Sequence, residues 1–150
     1  MATKAEHRIV VGVDGSEASR EALRWAATEA EAWGAELHVV GVWSFPMYLD
    51  PMGGAHPLPN LLERTEARER KLIDDEIIRV LGTSPAVRVV PKLRCGSTAP
   101  ELLAESVGAD LLVVGSRGRG GFLSALLGST AMHCVQHSSV SVAVVRVPKT

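Results

Sequence analysis

Two glycine-containing segments late in the chain have residues suited to binding a phosphate group. The first, Gly115-Ser116-Arg117-Gly118-Arg119-Gly120-Gly121, follows the apolar run Leu111–Val114, and the second is Gly128-Ser129-Thr130. Glycine lets a backbone turn tightly and approach a ligand closely. Ser129 stands where a helix is expected to start, so its hydroxyl would cap that helix while free N–H groups point toward an anion. The pattern G-x-x-G, nine residues, G-[ST] therefore predicts a phosphate-binding loop.

Asp14 is a second residue with the chemistry of a ligand contact. It follows the apolar run Ile9–Val13 near the start of the chain. An ionised carboxylate accepts hydrogen bonds, which suits the hydroxyls of a ribose or the edge of a base. The alternative is that Asp14 only caps the helix that begins near Ser16. Trp43 also has two interpretations, stacking on a base or packing in the core, and core packing is favoured.

Apolar runs alternate with amphipathic segments along the chain, and these elements must position the two candidate segments. The five predicted strands cover residues 8–13, 36–43, 86–94, 111–114 and 140–147. The first predicted helix begins at Ser16 and ends at Gly34, and the second covers 61–81. The third begins at Thr98 and ends at Gly108, and the fourth covers 129–136. The first helix has an apolar stripe that reaches Trp33, and Thr98-Ala99-Pro100-Glu101 has the pattern of a capping box.

The alternation of strands and helices predicts an α/β fold. We expect a doubly wound, five-stranded parallel sheet of order 3-2-1-4-5 with helices on both faces, a Rossmann-like arrangement. Strands that are apolar throughout fit a sheet covered on both sides, and Pro91 places the third strand at an edge. Ligands of such sheets bind beyond the carboxyl ends of the strands where the winding reverses, here between strands one and four. Asp14 and Gly115 should therefore face each other across one crevice.

The segment 44–60 is predicted to be a long loop. Its six Pro and Gly residues are incompatible with a helix or a central strand. Long loops in compact domains are often functional, and this one also carries apolar side chains such as Met47, Leu49 and Met52. We interpret it either as a lid or partner-contacting flap or as an ordinary variable loop.

Bulk properties limit the classes of partner. The 150 residues predict a single domain spanning 1–150. The formal net charge of -1, with acidic and basic residues interleaved, indicates neither nucleic acid nor an anionic membrane as partner. Apolar runs are too short to span a bilayer and the first residues are charged, so we expect a soluble, cytoplasmic protein. Cys95 and Cys134 are then expected to remain reduced thiols without a redox role.

Other motif interpretations fail on particular residues. The chain has no G-x-x-x-x-G-K-[ST], so the lysine of a hydrolysing P-loop is absent from the sequence. Leu123 occupies the third glycine position of a dinucleotide fingerprint. His133, Cys134 and His137 share a predicted helix, but without a fourth zinc ligand in view we favour structural packing. No residue pattern indicates an activated nucleophile, so no catalytic residue is predicted.

The full set of motifs resembles the universal stress protein family in its nucleotide-binding form. The resemblance covers nearly the whole chain: Ile9–Ser16, the glycine pattern and the closing strand Val142–Arg146. It implies a Rossmann-like fold of the adenine nucleotide alpha hydrolase type and ATP as ligand, with Mg²⁺ on its phosphates. It also implies a role as a stress-response sensor whose conformation responds to the nucleotide.

The resemblance assigns the ligand contacts residue by residue. Asp14, with Gly12 and Val13, would contact the ribose or base, and the backbone of Val42 would bind the adenine edge. Val114 and Gly115 would lie beside the ribose. The phosphates would contact the glycine loop and the following helix start through Ser116, Arg117, Gly118, Arg119, Gly128, Ser129 and Thr130. Arg119, and less so Arg117, has the alternative of being a solvated loop residue.

Three alternatives to an ATP-dependent sensor stay open at this point. Some members of the family prefer cyclic AMP, others lack the motif and act as interaction proteins without a nucleotide, and a weak ATPase is the third possibility. A homodimer through the edge of strand five is expected, because an exposed edge favours pairing and family dimers use it. Ser138-Ser139-Val140-Ser141 replaces the proline common before that strand, so dimer geometry is the least certain feature. The signalling partner is unknown.

Overall fold

The structure is a computed structural model that describes residues 7–45, 47–57, 59–118 and 127–148. Its strands are β1 Arg8–Gly12, β2 Glu36–Trp43, β3 Met47–Leu49, β4 Ala55–Pro57, β5 Val89–Cys95, β6 Leu111–Gly115 and β7 Val142–Val145. Its helices are α1 Glu17–Trp33, α2 Pro59–Leu81, α3 Thr98–Ser106 and α4 Ser129–His137.

Five of these strands form one parallel sheet of order β5-β2-β1-β6-β7. The numbers differ from the predicted 3-2-1-4-5 because the short strands β3 and β4 were not predicted; the succession of the five long strands is the predicted one. β5, which contains Pro91, lies at an edge as expected. The α/β doubly wound fold is therefore confirmed.

Helices cover both faces of the sheet, and each face has its own core. On one face α1 and α2 pack against β1, β2 and β6 through residues such as Leu23, Leu37 and Ile73. On the other face α3 and α4 contribute Leu102, Ala131 and Cys134 against the opposite side chains of the same strands. The alternation of side chains along each strand explains why continuous apolar runs are needed here. Among the described helices none is long and apolar enough to cross a membrane.

Details at the ends of α1 and α3 agree only in part with the prediction. Gly34 ends α1 in the left-handed conformation, at φ +64°, as expected. Trp33, however, is 43% exposed, because it lies in the last turn of α1 at the rim of the sheet. α3 has Ser97 rather than Thr98 as its N-cap, and no side-chain capping bond forms, so the predicted capping box is absent.

The predicted loop 44–60 contains an antiparallel hairpin, β3–β4. Asp50 closes the hairpin: its backbone N–H donates to the carbonyl of Gly54 at 2.8 Å, and its Oδ1 accepts from the N–H of Met52 at 2.7 Å. Its Oδ2 lies 2.8 Å from Nε2 of His56, and the hydrogen bond with His56 lowers the pKa of Asp50. Hairpin formation by a segment rich in Pro and Gly was not predicted, because the turn is stabilised by side-chain contacts that composition does not reveal.

His38 lies inside β2 and is buried. Its Nε2 is 3.1 Å from Oε2 of Glu36, and Oε1 of Glu36 is 2.5 Å from a guanidinium nitrogen of Arg88. Its Nδ1 is buried without a hydrogen-bond partner in the described structure. Burial lowers the pKa of His38 below its ordinary value, opposed by the bond to Glu36, while the nearby charges of Lys92 and Arg8 lower it further. The residue is held in the sheet, as the sequence suggested, through one of its two nitrogens.

His38 should make the stability of the fold depend on pH. Because its pKa is lower in the folded chain than in the unfolded chain, the unfolded chain takes up a proton first as the pH falls below about 6.5. The contribution of neutral His38 is thus fully present above that pH and decreases toward pH 5. Urea unfolding at pH 7.5, 6.5 and 5.5 should show a steeper loss of stability in the parent protein than in His38→Gln. Equal pH dependence in the two proteins would contradict this assignment.

Candidate functional site

The carboxyl ends of β1 and β6 open into a cavity of about 540 Å³. The two strands are parallel neighbours, with Val11 opposite Val113, and the turns that follow them form the cavity rim. Its volume lies in the range of small-molecule sites. The lining comprises Gly12, Val13, Asp14, Ser19, Val40, Gly41, Val42, Glu69, Leu72, Ile73, Thr98, Leu102, Val114, Gly115, Arg117, Gly118, Leu127, Gly128, Ser129, Thr130 and Ala131.

Asp14 lies in the turn between β1 and α1 and is fixed by backbone contacts. Its Oδ1 accepts from the N–H of Ser16 at 2.9 Å, and its own N–H donates to Oγ of Ser19 at 3.3 Å. The N-cap of α1 is Ser16, whose hydroxyl oxygen accepts from the N–H of Ser19. Asp14 therefore braces the turn without being the cap.

Gly118 lies directly against Asp14. A Cβ added to Gly118 would be 2.7 Å from Oδ2 of Asp14, closer than real Cβ atoms come to any neighbour. The acidic turn and the glycine loop, about 100 residues apart in the chain, thus meet at one point of the cavity, as the topology predicted. The absence of a side chain at Gly118 leaves the space that the carboxylate occupies.

The two glycine segments also contact each other. The N–H of Gly128 donates to the carbonyl of Ser116 at 2.6 Å, and a Cβ on Gly128 would be 3.3 Å from Cα of Arg117. Gly128 is the N-cap of α4 and makes no side-chain cap, so the predicted capping by Ser129 was wrong: Ser129 is the first helical residue. The first turn of α4 leaves its leading N–H groups outside the bonding of the helix, and residues 129–131 line the cavity.

The backbone of Val42 faces the cavity with its hydrogen-bonding groups. The N–H of Val13 donates to the carbonyl of Val40 at 2.9 Å, so the polar groups of Val40 point toward β1. Those of Val42, two residues on, point the same way, but β1 has ended at Gly12. The carbonyl of Trp43 points the other way, accepting from Gly96. Val42 therefore offers one donor and one acceptor at the cavity wall.

α2 forms a further wall of the cavity through Glu69, Leu72 and Ile73. Ile73 packs so closely on β2 that a Cβ on Gly41 would be 2.6 Å from Cδ1 of Ile73. A partly buried ion pair holds the helix in place: Nε of Arg20 on α1 is 2.8 Å from Oε2 of Glu76, which is 5% exposed. The hydrogen bond with Glu76 raises the pKa of Arg20, and the guanidinium binds both carboxylate oxygens.

Comparison with known proteins identifies the family. A family model described as "Universal stress protein family" matches residues 6–146. The chain belongs to the universal stress protein family. Among curated relatives, universal stress proteins of Mycolicibacterium smegmatis and Mycobacterium tuberculosis are 35% and 34% identical over 92% and 94% of this chain. Those matches cover 45% and 44% of the relatives, so the chain spans less than half of their length.

Solved universal stress protein structures share the fold. UspA from Lactobacillus plantarum has a TM-score of 0.76 at 23% identity, covering 95% of this chain and 100% of that one. A universal stress protein in complex with cAMP has a TM-score of 0.64 at 24% identity, over 95% and 98% of the two chains. A family protein from Arabidopsis thaliana with AMP bound has a TM-score of 0.59 at 17% identity, over 95% and 92%.

Nearly all residues predicted for the site of this universal stress protein line the cavity. Ser116 does not line it; this residue is buried and contributes its carbonyl to Gly128 instead. Arg119 lies outside the described residues. Trp43 is not part of the lining either and packs against Phe45, with ring centroids 5.2 Å apart, in agreement with core packing.

Sequence reasoning missed the side walls of the cavity. Glu69, Leu72 and Ile73 come from α2, and Thr98 and Leu102 come from α3. The amphipathic pattern of α2 indicates a buried face but does not show how far that face extends past the end of the sheet. The only available signal was Gly41, whose missing side chain in an otherwise apolar strand makes room for Ile73.

The two histidines near Cys134 are exposed on α4. The rings of His133 and His137 are in contact, with centroids 4.6 Å apart, and Cys134 is fully buried between α4 and the sheet. Burial raises the pKa of the Cys134 thiol. In the part of the chain that the structure describes, no group of three or more His, Cys, Asp or Glu residues is arranged to hold a metal ion.

Proposed function

We propose that this universal stress protein binds ATP, with Mg²⁺ carried on the phosphates, in the cavity between β1 and β6. The observation that carries the proposal is the contact of Asp14 with Gly118 beside the first turn of α4. The carboxylate of Asp14 can accept from the ribose hydroxyls, and the backbone at Gly118 and the N-terminus of α4 can donate to the phosphates of a nucleotide. The related structures with cAMP and AMP support an adenine nucleotide as the class of ligand.

Each part of the ligand has a corresponding wall. The donor and acceptor of Val42 suit the N1 and 6-amino edge of adenine, and Leu72 and Ile73 supply apolar surface for the ring. Asp14 would accept from the ribose hydroxyls. The backbone at Gly118 and the N–H groups of residues 129–131 would bind the phosphates, with the charge of Arg117 beside them. Arg119 would add a second positive charge.

We favour ATP over cyclic AMP as the ligand because of the second glycine segment, Gly128-Ser129-Thr130. The N-terminus of α4 offers donors beyond those that a single cyclic phosphate occupies, and a chain of phosphates extends far enough to use them. Cyclic AMP remains the second candidate, because a solved relative binds it. Competition of the two ligands on one sample decides between them.

The proposed role is that of a sensor rather than an efficient enzyme. We assign no side chain as a nucleophile or general base, and a weak ATPase is the limit of the activity proposed. The nucleotide would order the glycine loop and alter the adjacent surface, including the hairpin, where Leu49 and Met52 are 73% and 95% exposed. Such apolar exposure suits contact with a signalling partner in the cytoplasm.

A homodimer through β7 is part of the proposal. β7 lies at the edge of the parallel sheet, and all four of its residues are half-buried, so a valine-rich strand edge is open to pairing. Ser138-Ser139-Val140-Ser141 stands where the family commonly has a proline before this strand. The proposed nucleotide contacts do not depend on this edge.

Calorimetric titration of the purified protein with ATP and Mg²⁺ tests the proposal. We expect saturable binding of one nucleotide per chain, and displacement of the ATP by excess cyclic AMP only at higher concentration. Absence of heat and of any thermal stabilisation at millimolar ATP would overturn the proposal. Tighter binding of cyclic AMP than of ATP would show that cyclic AMP is the ligand.

A further inference from the structure

Glu69 is the one acidic side chain that α2 contributes to the cavity lining described above. It is half-buried. Elsewhere on α2, Glu66 pairs with Arg70 and Asp75 pairs with Lys71. Within the described ranges no ion pair or hydrogen bond is formed by the Glu69 carboxylate. Glu69 therefore offers the cavity a carboxylate that can accept hydrogen bonds from a ligand.

The fold places Glu69 at the base end of the cavity. Ile73 contacts β2 at Gly41, and α2 runs antiparallel to the strands because it returns the chain from the carboxyl end of β2 to the start of β5. Glu69 is four residues before Ile73, on the same helix face and about 6 Å nearer the carboxyl ends of the strands. This displacement corresponds to about two residues of a strand, which brings Glu69 past the level of Val42.

We propose that Glu69 is a specificity-determining residue that selects a 6-amino purine over a 6-oxo purine. The inference rests on the proposed function, since it concerns the base of the bound nucleotide. A 6-amino group has two N–H donors, and the carbonyl of Val42 accepts one of them. The carboxylate of Glu69, an acceptor only, takes the second. A 6-oxo purine would instead direct its own acceptor at these two acceptors, which disfavours binding.

The test compares ATP with ITP, whose base differs at the 6-position, on three proteins. The parent protein should bind ATP at least a hundredfold more tightly than ITP. In Glu69→Gln the amide can donate to the 6-oxo group, so the ratio should fall by about tenfold. Glu63→Gln is the matched control, because Glu63 is an exposed carboxylate on the same helix outside the cavity lining. It should keep the ratio of the parent protein.

The outcomes separate the inference from the proposed function. If the parent protein binds neither nucleotide, the proposed function fails and the inference with it. If ATP binds but Glu69→Gln retains the ratio of the parent protein, only the role of Glu69 is overturned. An equal change in Glu63→Gln would also overturn it, because the effect would then come from the net charge of α2. Circular dichroism of each variant establishes that the helix is intact.

Discussion

Replacing Gly118 by alanine should lower the affinity for ATP by roughly a hundredfold while leaving the protein folded. The new methyl group would be 2.7 Å from Oδ2 of Asp14. That carboxylate cannot rotate away without losing the 2.9 Å bond from the N–H of Ser16, so either the acidic turn or the glycine loop must move. Loss of about two charge-assisted hydrogen bonds to the nucleotide corresponds to a factor of this size. Calorimetric titration of both proteins measures it.

Gly82→Ala is the control for Gly118→Ala. Gly82 follows α2, with φ +78° and no neighbour within 4 Å of an added Cβ, so alanine there costs about 1 kcal/mol of stability through backbone strain. The melting temperature should fall by about 2 to 4 °C, with the affinity for ATP unchanged. Gly118→Ala should instead lower the affinity for ATP and leave the melting temperature nearly unchanged. An unchanged affinity in Gly118→Ala would mean that the contact between the two turns does not shape the binding site.

The sequence predicted the parts of the fold that depend on continuous apolar runs. Leu111–Val114 is buried on both faces of the sheet, and a run of this kind has few alternatives to a central parallel strand. Once the strands and their crossovers are known, handedness and the position of the winding reversal follow. The meeting of Asp14 with the glycine loop is a consequence of that topology. It therefore could be predicted without any knowledge of side-chain packing.

The parts that were not predicted depend on contacts between side chains. The hairpin β3–β4 is closed by Asp50 and His56, neither of which marks a hairpin by itself. The position of α2 over the cavity depends on Ile73 against Gly41 and on the ion pair between Arg20 and Glu76. These pairs are distant in sequence. A single sequence shows the amphipathic helix but not the residues that it will contact.

The ion pair between α1 and α2 also links the two halves of the proposed site. α1 begins at the turn that holds Asp14, and α2 carries Glu69 and Ile73. The ion pair of Arg20 and Glu76 therefore connects the proposed ribose side of the site to the proposed base side. Glu76 is buried and its only other cationic partner in the described structure, Arg79, is 3.7 Å away, so the bond to Arg20 is costly to lose. The two walls are expected to respond to a bound nucleotide as one unit.

Gly115→Ala should destabilise the fold more than the same substitution at Gly12, which ends the adjacent strand β1. A Cβ on Gly115 would be 2.7 Å from the carbonyl carbon of Ala18 and 2.9 Å from its oxygen, both backbone atoms of the first turn of α1. Backbone packed in a core does not move aside as a side chain does, so α1 must shift from β6. We expect a loss of about 2 to 3 kcal/mol and a fall of about 5 to 10 °C in melting temperature.

Gly12→Ala is the matched comparison, because Gly12 ends the adjacent strand β1. There an added Cβ would be 2.8 Å from Cδ1 of Leu102, the end of a side chain that can change its rotamer. Urea unfolding should therefore give Gly12→Ala a loss of only about 1 kcal/mol. Equal losses in the two variants would show that α1 is free to move relative to β6. The turn that holds Asp14 would then not be rigidly positioned by the packing of α1 on the sheet.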